Sequence, residues 1–366
     1  MNKIILTSKM LLIIATLTFG FTACNKNKTD DNSETAAAQN LNIAEIEDDN
    51  VQVIADQAEA TGDISNLRTS VNNTVDYITG CATITKDTLS TPKKITIVPH
   101  RNPDGDAMGS TLGLYHTLKQ LQHEVIVMAP NEFPDFLAWL PESEKVIIFE
   151  RSFDTCKSIL EKTELLFTLD FNALHRTGDQ MENVLKTLTV PSVMIDHHQA
   201  PDGYATYTFS DTTYGSTCEM VYDLIYQLGY ENLINKNVAT CLYTGIVTDS
   251  GSFRFPKTTS KTHKCVADLI DRGINNSEIH NLLFDNSSYN RLLLLGKALQ
   301  NLKMLPEYKT TYITLTQDEL NEFGHQKGDT EGIVNYGLSI KGIDFTNQLS
   351  YNKADSSLKQ IQLQTM

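Results

Sequence analysis

The chain has 366 residues, 40% of them hydrophobic, enough for two domains and a sizeable core. Its formal net charge of −15 excludes a general nucleic-acid coat protein, which needs a basic face. A polyanionic substrate stays open, because bound metal cations can reverse the sign of charge inside a cleft.

The N-terminus reads as an export signal. Lys3 and Lys9 precede the apolar run MLLIIATLTFGFT, which is too short to span a bilayer and ends at FTAC. Ala23 and Cys24 resemble the lipobox of bacterial lipoproteins, with Phe21 where leucine is usual. That resemblance implies lipidation of Cys24, membrane attachment through the lipid and a place in the cell envelope. The signal occupies 1–24. Residues 25–90 follow as an acidic tether and an unassigned segment, poor in aromatics at first. The other cysteines, at 81, 156, 218, 241 and 265, form no CxxC pair and fit neither a zinc site nor a disulfide framework. Most of them read as buried small hydrophobes.

From Pro92 the pattern changes. KKITIV, HEVIVMA, KVIIFE, LLFTLD and PSVMID are apolar runs with helical patterns between them, and NVATCLYTGIV is itself helical. Strands that are apolar throughout and alternate with helices predict a doubly wound parallel sheet flanked by helices, an α/β fold over about 91–285. SYNRLLLLGKALQNLKML predicts a linker helix around 286–305. YKTTYITLT and GLSIKGIDF read as strands of a partial second α/β domain over 306–366, which ends in a polar tail.

The chemistry sits at the ends of the apolar runs. KKITIVPH ends at His100 and opens a loop with Asp104 and Asp106, and Gly105 between them would let the loop turn tightly. LLFTLD ends at Asp170, and PSVMIDHH at Asp196, His197 and His198. A helix leads into TDSG with Asp249. In an open parallel sheet the carboxyl ends of the strands face one crevice, so these segments should converge. So many carboxylates together would resist ionisation without cations. Oxygen and imidazole donors without thiolate select Mn²⁺ first and Mg²⁺ second. Two divalent metal ions about 3.5–4 Å apart would absorb the surplus of ligands and suit phosphoester hydrolysis. A calcium loop starting at Asn102 fails, with Ala107 where glycine belongs and Gly113 in place of the bidentate Glu. Arg176 and Arg254 follow ligand-bearing segments closely and are candidates for phosphate binding. Ser216 and Glu219 in GSTCEM read as a helix cap.

HRNPDGDAMGS, LDFNALHRTG, MIDHHQAP and GIVTDSGSFRF resemble, in order and spacing, the signature segments of the DHH/DHHA1 phosphoesterase superfamily. The resemblance covers about 90–345 and is nearest the nano-RNases that also dephosphorylate 3′-phosphoadenosine 5′-phosphate. It implies that His100 and Asp104 bind one ion, that Asp106, His197 and Asp249 bind the second, and that Asp170 bridges them. Asp196 would orient His197, while His198 would face the substrate phosphate. The implied substrates are short RNA oligonucleotides and phosphorylated nucleotides. Alternatives are a cyclic-dinucleotide phosphodiesterase or a pyrophosphatase of the same superfamily, or an inactive lipid-anchored binding protein of this fold. The resembled enzymes are cytoplasmic, the alternative to an envelope location. Their second domain carries a GGGH-type segment, and no GGG occurs here.

Overall fold

In a computed structural model of the chain, residues 86, 88–326, 328–330, 332–352 and 357–365 are described. All belong to the unit that spans Gln57–Met366. The signal, with Cys24, and the acidic segment lie outside the described residues.

The five apolar runs supply β1 (Lys94–Pro99), β2 (Glu124–Ala129), β3 (Ile147–Ile148), β4 (Leu165–Leu169) and β5 (Ser192–Asp196), and a sixth strand that the sequence did not mark, β6 (Tyr207–Ser210), lies at the edge with only Phe209 buried. The sheet is parallel throughout, in the order β3-β2-β1-β4-β5-β6. Ile95 and Ile97 of β1 enter one apolar cluster with Phe167 and Leu169, while Val98 packs into another with Met128 and Leu166. Burial on both faces explains why these strands lack polar alternation. KVIIFE supplies only the two residues of β3 before a 3₁₀ turn at Phe149–Arg151.

Seven helices cover this sheet among the described residues: α1 (Gly105–Gln120), α2 (Phe153–Leu160), α3 (Asp179–Leu185), α4 (Thr217–Gln227), α5 (Lys236–Asp249), α6 (Ser260–Asp271) and α7 (Asn276–Phe284). Side chains of α2 and α3 join the Val98 cluster, and those of α1, α4 and α5 join the Ile95 cluster. The strand order reverses direction between β1 and β4, which opens the crevice where ligands bind in doubly wound sheets.

Helices α1 and α5 approach closely because α1 presents glycine every fourth residue. A Cβ at Gly109 would lie 2.5 Å from the Cys241 carbonyl oxygen, and one at Gly113 would lie 2.6 Å from the Leu242 side chain. Gly105 belongs to the same face. It was expected to ease a tight loop; instead it is the first residue of α1, and a Cβ there would meet Thr248 Oγ1 at 2.4 Å.

After α8 (Tyr289–Asn301) come β7 (Lys303–Leu305), β8 (Thr310–Thr316), α9 (Gln317–Glu322), α10 (Asn335–Leu338), β9 (Phe345–Asn352) and β10 (Ser357–Thr365). The four strands form a second, mixed sheet in the order β10-β9-β8-β7, with β8 and β9 parallel. GLSIKGIDF is not a strand, contrary to its reading in the sequence. It ends α10, turns through Gly342 at φ +84° and reaches a strand only at Phe345. Gly337 fixes this course, since a Cβ there would lie 2.3 Å from the hydroxyls of both Thr311 and Thr346. The polar tail supplies β9 and β10. No helix among the described residues is long and apolar enough to cross a membrane.

Candidate metal centre

The register of β1, β4 and β5 lines up their ends: Pro99 lies beside Leu169, and Leu169 beside Ile195. His100, Asp170 and Asp196 therefore leave the sheet next to one another at the β1/β4 crevice. His100 Nδ1–H donates to the Arg101 carbonyl at 2.8 Å, so Nε2 turns toward the acids. It lies 3.4 Å from Asp170 Oδ2 and 3.8 Å from Asp104 Oδ2. Asp104 also caps α1, its Oδ1 accepting from the backbone N–H groups of Asp106 and Ala107.

Asp106 is fully buried and aimed by a different helix. Its two oxygens accept from the backbone N–H groups of Thr217 (2.6 Å) and Cys218 (2.9 Å), at the N-terminus of α4, where the helix dipole favours an anion. His197 Nε2 lies 3.3 Å from Asp249 Oδ2, 3.5 Å from Asp170 Oδ1 and 3.8 Å from Asp106 Oδ2. Asp170 thus turns one oxygen toward His100 and the other toward His197. Thr217 Oγ1–H donates to the latter oxygen at 2.9 Å. Asp170 holds φ +66°, a left-handed conformation uncommon outside glycine. Such local strain is found where surrounding structure over-determines a functional residue.

The electrostatics follow from burial and charge. Burial pushes the Asp106 carboxyl up to about 8, and the charge of Asp170 adds to the push. Asp249 is also raised, by burial and then by Asp106, Asp104 and Asp170. For His100, burial opposes the imidazolium, but the Asp170 hydrogen bond and the nearby carboxylates overcome it and raise the group to about 9. His197 reaches about 10 in the same way. Burial alone would raise Asp170, but the hydrogen bonds of the two histidines hold it well below the usual carboxylate range. Without cations, protons and imidazolium groups carry the compensating charge.

Three overlapping sets of donors can hold a divalent ion among the described residues: His100, Asp104 and Asp170; Asp106, His197 and Asp249; and Asp170, His197 and His198. Within each set the ligand atoms lie within 4.8 Å of one another, and all are oxygen or imidazole nitrogen. Neighbouring ligands around an octahedral ion with about 2.1 Å bonds sit about 3 Å apart, close to the separations seen here. Each histidine donates its outer nitrogen to a backbone carbonyl, as metal-binding histidines require.

One expected partnership is different. Asp196 does not orient His197: His198 Nδ1–H donates to Asp196 Oδ1 at 2.7 Å, and the His198 backbone N–H donates to Oδ2 at 3.1 Å. The strand ends at Asp196, and the chain bends so that the Asp196 carboxylate accepts from both the backbone and the ring of His198, two residues on. His197 Nδ1 faces the Tyr214 carbonyl instead, at 3.4 Å. Arg254 lines a cleft of about 580 Å³ that also reaches His197 and Asp249, with its Nε–H held by the Gly251 carbonyl at 2.7 Å. Arg176 is exposed on the turn Leu174–Thr177 and is not part of that wall. Ser216 caps α4 as expected, accepting from Glu219 N–H, and Glu219 Oε2 accepts from Gly215 N–H. Four described cysteines, at 156, 218, 241 and 265, are buried and unpaired. A smaller cavity of about 170 Å³, beside β2, contains none of the site residues.

Three positioning groups escaped the sequence reading. Thr217 ties Asp106, 111 residues before it, to Asp170, 47 residues before it, the backbone of Cys218 completes the grip on Asp106, and Asn131 exchanges hydrogen bonds of 2.7 Å with Asn102 to hold the His100 loop. Only the GSTC capping pattern hinted at the first two.

Comparison with known proteins identifies the family. Residues 94–246 match the DHH family, N-terminal domain. The chain is 31% identical over 252 residues to the bifunctional oligoribonuclease and PAP phosphatase NrnA of Bacillus subtilis, covering 68% of this chain and 75% of that protein. The chain belongs to the DHH family. The NrnA protein of Thermus thermophilus is 34% identical over 201 residues, which span 54% of this chain and 56% of that relative. The crystal structure of an exopolyphosphatase-related protein from Bacteroides fragilis superposes with a TM-score of 0.74 at 35% identity, covering 78% of this chain and 83% of that one. The DHH match ends before Asp249, so the last residue of the second donor set comes from beyond the matched segment.

Proposed function

We propose that the chain is a metal-dependent phosphohydrolase that cleaves short oligoribonucleotides to mononucleotides and removes the 3′-phosphate of 3′-phosphoadenosine 5′-phosphate. The observation that carries this reading is Asp170, whose Oδ2 lies 3.4 Å from His100 and whose Oδ1 lies 3.5 Å from His197, so that one carboxylate stands between neighbouring groups of metal donors. The NrnA relatives, named for both activities, support the substrate class.

His100, Asp104, Asp106, Asp170, His197 and Asp249 would hold two divalent ions, with Mn²⁺ fitting their mixed imidazole and carboxylate set. Such ions, when bound, neutralise phosphoryl oxygens and make water a nucleophile at neutral pH. The chain's own side chains do the rest. Arg254 meets the phosphate from the cleft wall. His198, held at Nδ1 by Asp196, presents Nε2 and delivers a proton to the leaving oxygen. Water oxygen joins phosphorus and gives up a proton to solvent, the P–O ester bond breaks, and the alcohol leaves with the proton from His198, which solvent then replaces.

The test is release of 5′-mononucleotide from a ribodinucleotide and of phosphate from 3′-phosphoadenosine 5′-phosphate by the purified full chain, with and without Mn²⁺. Turnover that requires the metal is expected. No turnover with any divalent ion would overturn the reading.

A further inference from the structure

Glu219 of α4 departs from the cap it resembles. In a capping box the acid at the third helical position takes the backbone N–H of the cap residue itself. Here Ser216 is the cap, its Oγ accepting from Glu219 N–H, but the Glu219 carboxylate passes over Ser216. Its Oε2 accepts instead from the N–H of Gly215, one residue earlier, at 3.2 Å. That approach depends on Gly215 having no side chain, since a Cβ there would lie 2.9 Å from the same oxygen. Glu219 is only 5% exposed, and Thr262 of α6 also hydrogen-bonds its carboxyl, so the group has little room to turn elsewhere.

The N–H that Glu219 takes belongs to the peptide unit whose carbonyl is that of Tyr214. This carbonyl faces His197 Nδ1 at 3.4 Å. A peptide unit is planar, so fixing the direction of its N–H fixes that of its C=O. A hydrogen bond at the N–H also polarises the amide and makes its oxygen a better acceptor. The same helix holds the rest of the loop. Tyr214 O–H donates to Asp223, one turn after Glu219. Lys261 Nζ reaches both Asp223 (2.8 Å) and the Tyr214 hydroxyl (3.1 Å), and it lies 4.5 Å from the centre of the tyrosine ring.

We propose that Glu219 is a positioning residue for His197, acting through the Tyr214–Gly215 peptide. The relay keeps the His197 proton on Nδ1 and leaves Nε2, the nitrogen beside Asp106, Asp170 and Asp249, to bind a metal ion. Metal-binding histidines take a carboxylate or a carbonyl as their outer partner; here a carboxylate acts one peptide removed, behind the carbonyl. Helix α4 thereby aims two donors at once. It grips Asp106 with the N–H groups of Thr217 and Cys218, and it sets His197 through Glu219. This role rests on the metal-centre reading above and adds a residue outside the donor sets.

Mn²⁺ binding to the purified full chain, followed through the EPR signal of the free ion, tests the relay without reading turnover. The wild-type chain is expected to take up two ions. Glu219→Met keeps the bulk of the side chain but has no oxygen. It should weaken one of the two ions about 10- to 100-fold, the usual cost of losing an outer partner of a metal-bound histidine. Gly215→Ala breaks the same contact from the other side and should produce the same loss. Glu219→Gln keeps an acceptor oxygen and should restore most of the affinity. Asn275→Ala, which removes the N-cap of α7, lowers stability in a helix without donor residues and should leave both ions in place. In a His197→Gln background, Glu219→Met should cost the remaining ion nothing, because the residue through which it acts is gone. Unchanged binding in Glu219→Met and Gly215→Ala overturns the relay. So does an equal loss in Glu219→Gln, which would assign the effect to negative charge near the ions, or a further loss in the His197→Gln background. A wild-type chain that binds no Mn²⁺ overturns the metal-centre reading itself, so the two readings fail separately.

Discussion

At the scale of single residues, Asp170 and His198 are held in contrasting ways. Asp170 accepts from His100, His197 and Thr217, and its left-handed backbone is set by the Ile195 carbonyl that takes its N–H at 3.0 Å. His198 lies at the rim, with Nδ1 tied to Asp196 and its ring 4.6 Å from that of His197. It could also be grouped with Asp170 and His197 as a ligand, so its role needs a test that separates proton transfer from metal binding. His198→Gln is expected to lower kcat by about 10²–10⁴-fold, the usual contribution of a general acid. The protein should retain its two ions after dialysis, as measured by elemental analysis. If an ion is lost with the imidazole, His198 is a ligand and the proton comes from elsewhere.

At the scale of elements, the glycine face of α1 brings Asp106 against α4 and α5. Gly245 of α5 completes the contact, since a Cβ there would lie 2.2 Å from Cys218 Sγ and 2.8 Å from Asp106 Oδ1. Gly109→Ala must push α1 off the backbone of α5, and a cost of about 1–3 kcal/mol in unfolding free energy is expected, typical of overpacking. Gly296, within α8, is the control: nothing lies within 4 Å of an added Cβ, so Gly296→Ala should stabilise by about 0.5–1 kcal/mol. Urea midpoints measure both, and a neutral Gly109→Ala would show that close packing is not what this glycine provides. This packing face is also where the sequence said least. The strands and the acids at their ends were legible, because β1, β4 and β5 are apolar on both faces and break abruptly at His100, Asp170 and Asp196. Gly105 and Gly109 were not, since only the opposing helix gives them a reason. Thr217 and Asn131 act across long sequence separations, and no local pattern marks them. β9 was hidden differently: Thr346, Asn347 and Gln348 are buried although polar, so their composition resembles that of a solvated tail.

For the whole molecule, the site links stability, pH and metal in one direction. Asp106 titrates near 8 in the folded protein against 3.8 for a free carboxyl, and His100 and His197 titrate near 9 and 10 against 6.5. Between about pH 4 and 10 the metal-free folded chain therefore holds more protons than the unfolded chain. Stability falls with rising pH wherever the native state binds the excess. The part due to Asp106 is lost as pH climbs from 4 toward 8, and that due to the histidines as it climbs from 6.5 through 9 and 10. Asp170 works in the opposite sense, but its window lies below 3.8, outside the working range. Divalent ions bound here would replace these protons, because carboxylates and imidazoles must be deprotonated to coordinate. The melting temperature of chelator-treated protein should decline from pH 6 to pH 9, while saturating Mn²⁺ should raise it and flatten or reverse the slope. Metal uptake at pH 7.5 should release protons, so its calorimetric heat should differ between buffers of different ionisation enthalpy. Parallel melting curves with and without metal, together with buffer-independent heats, would mean that the protons and the ions do not compete for one site. The formal charge of −15 makes that competition consequential: an anionic substrate meets a repulsive surface, and the cleft attracts it only once cations have displaced the protons.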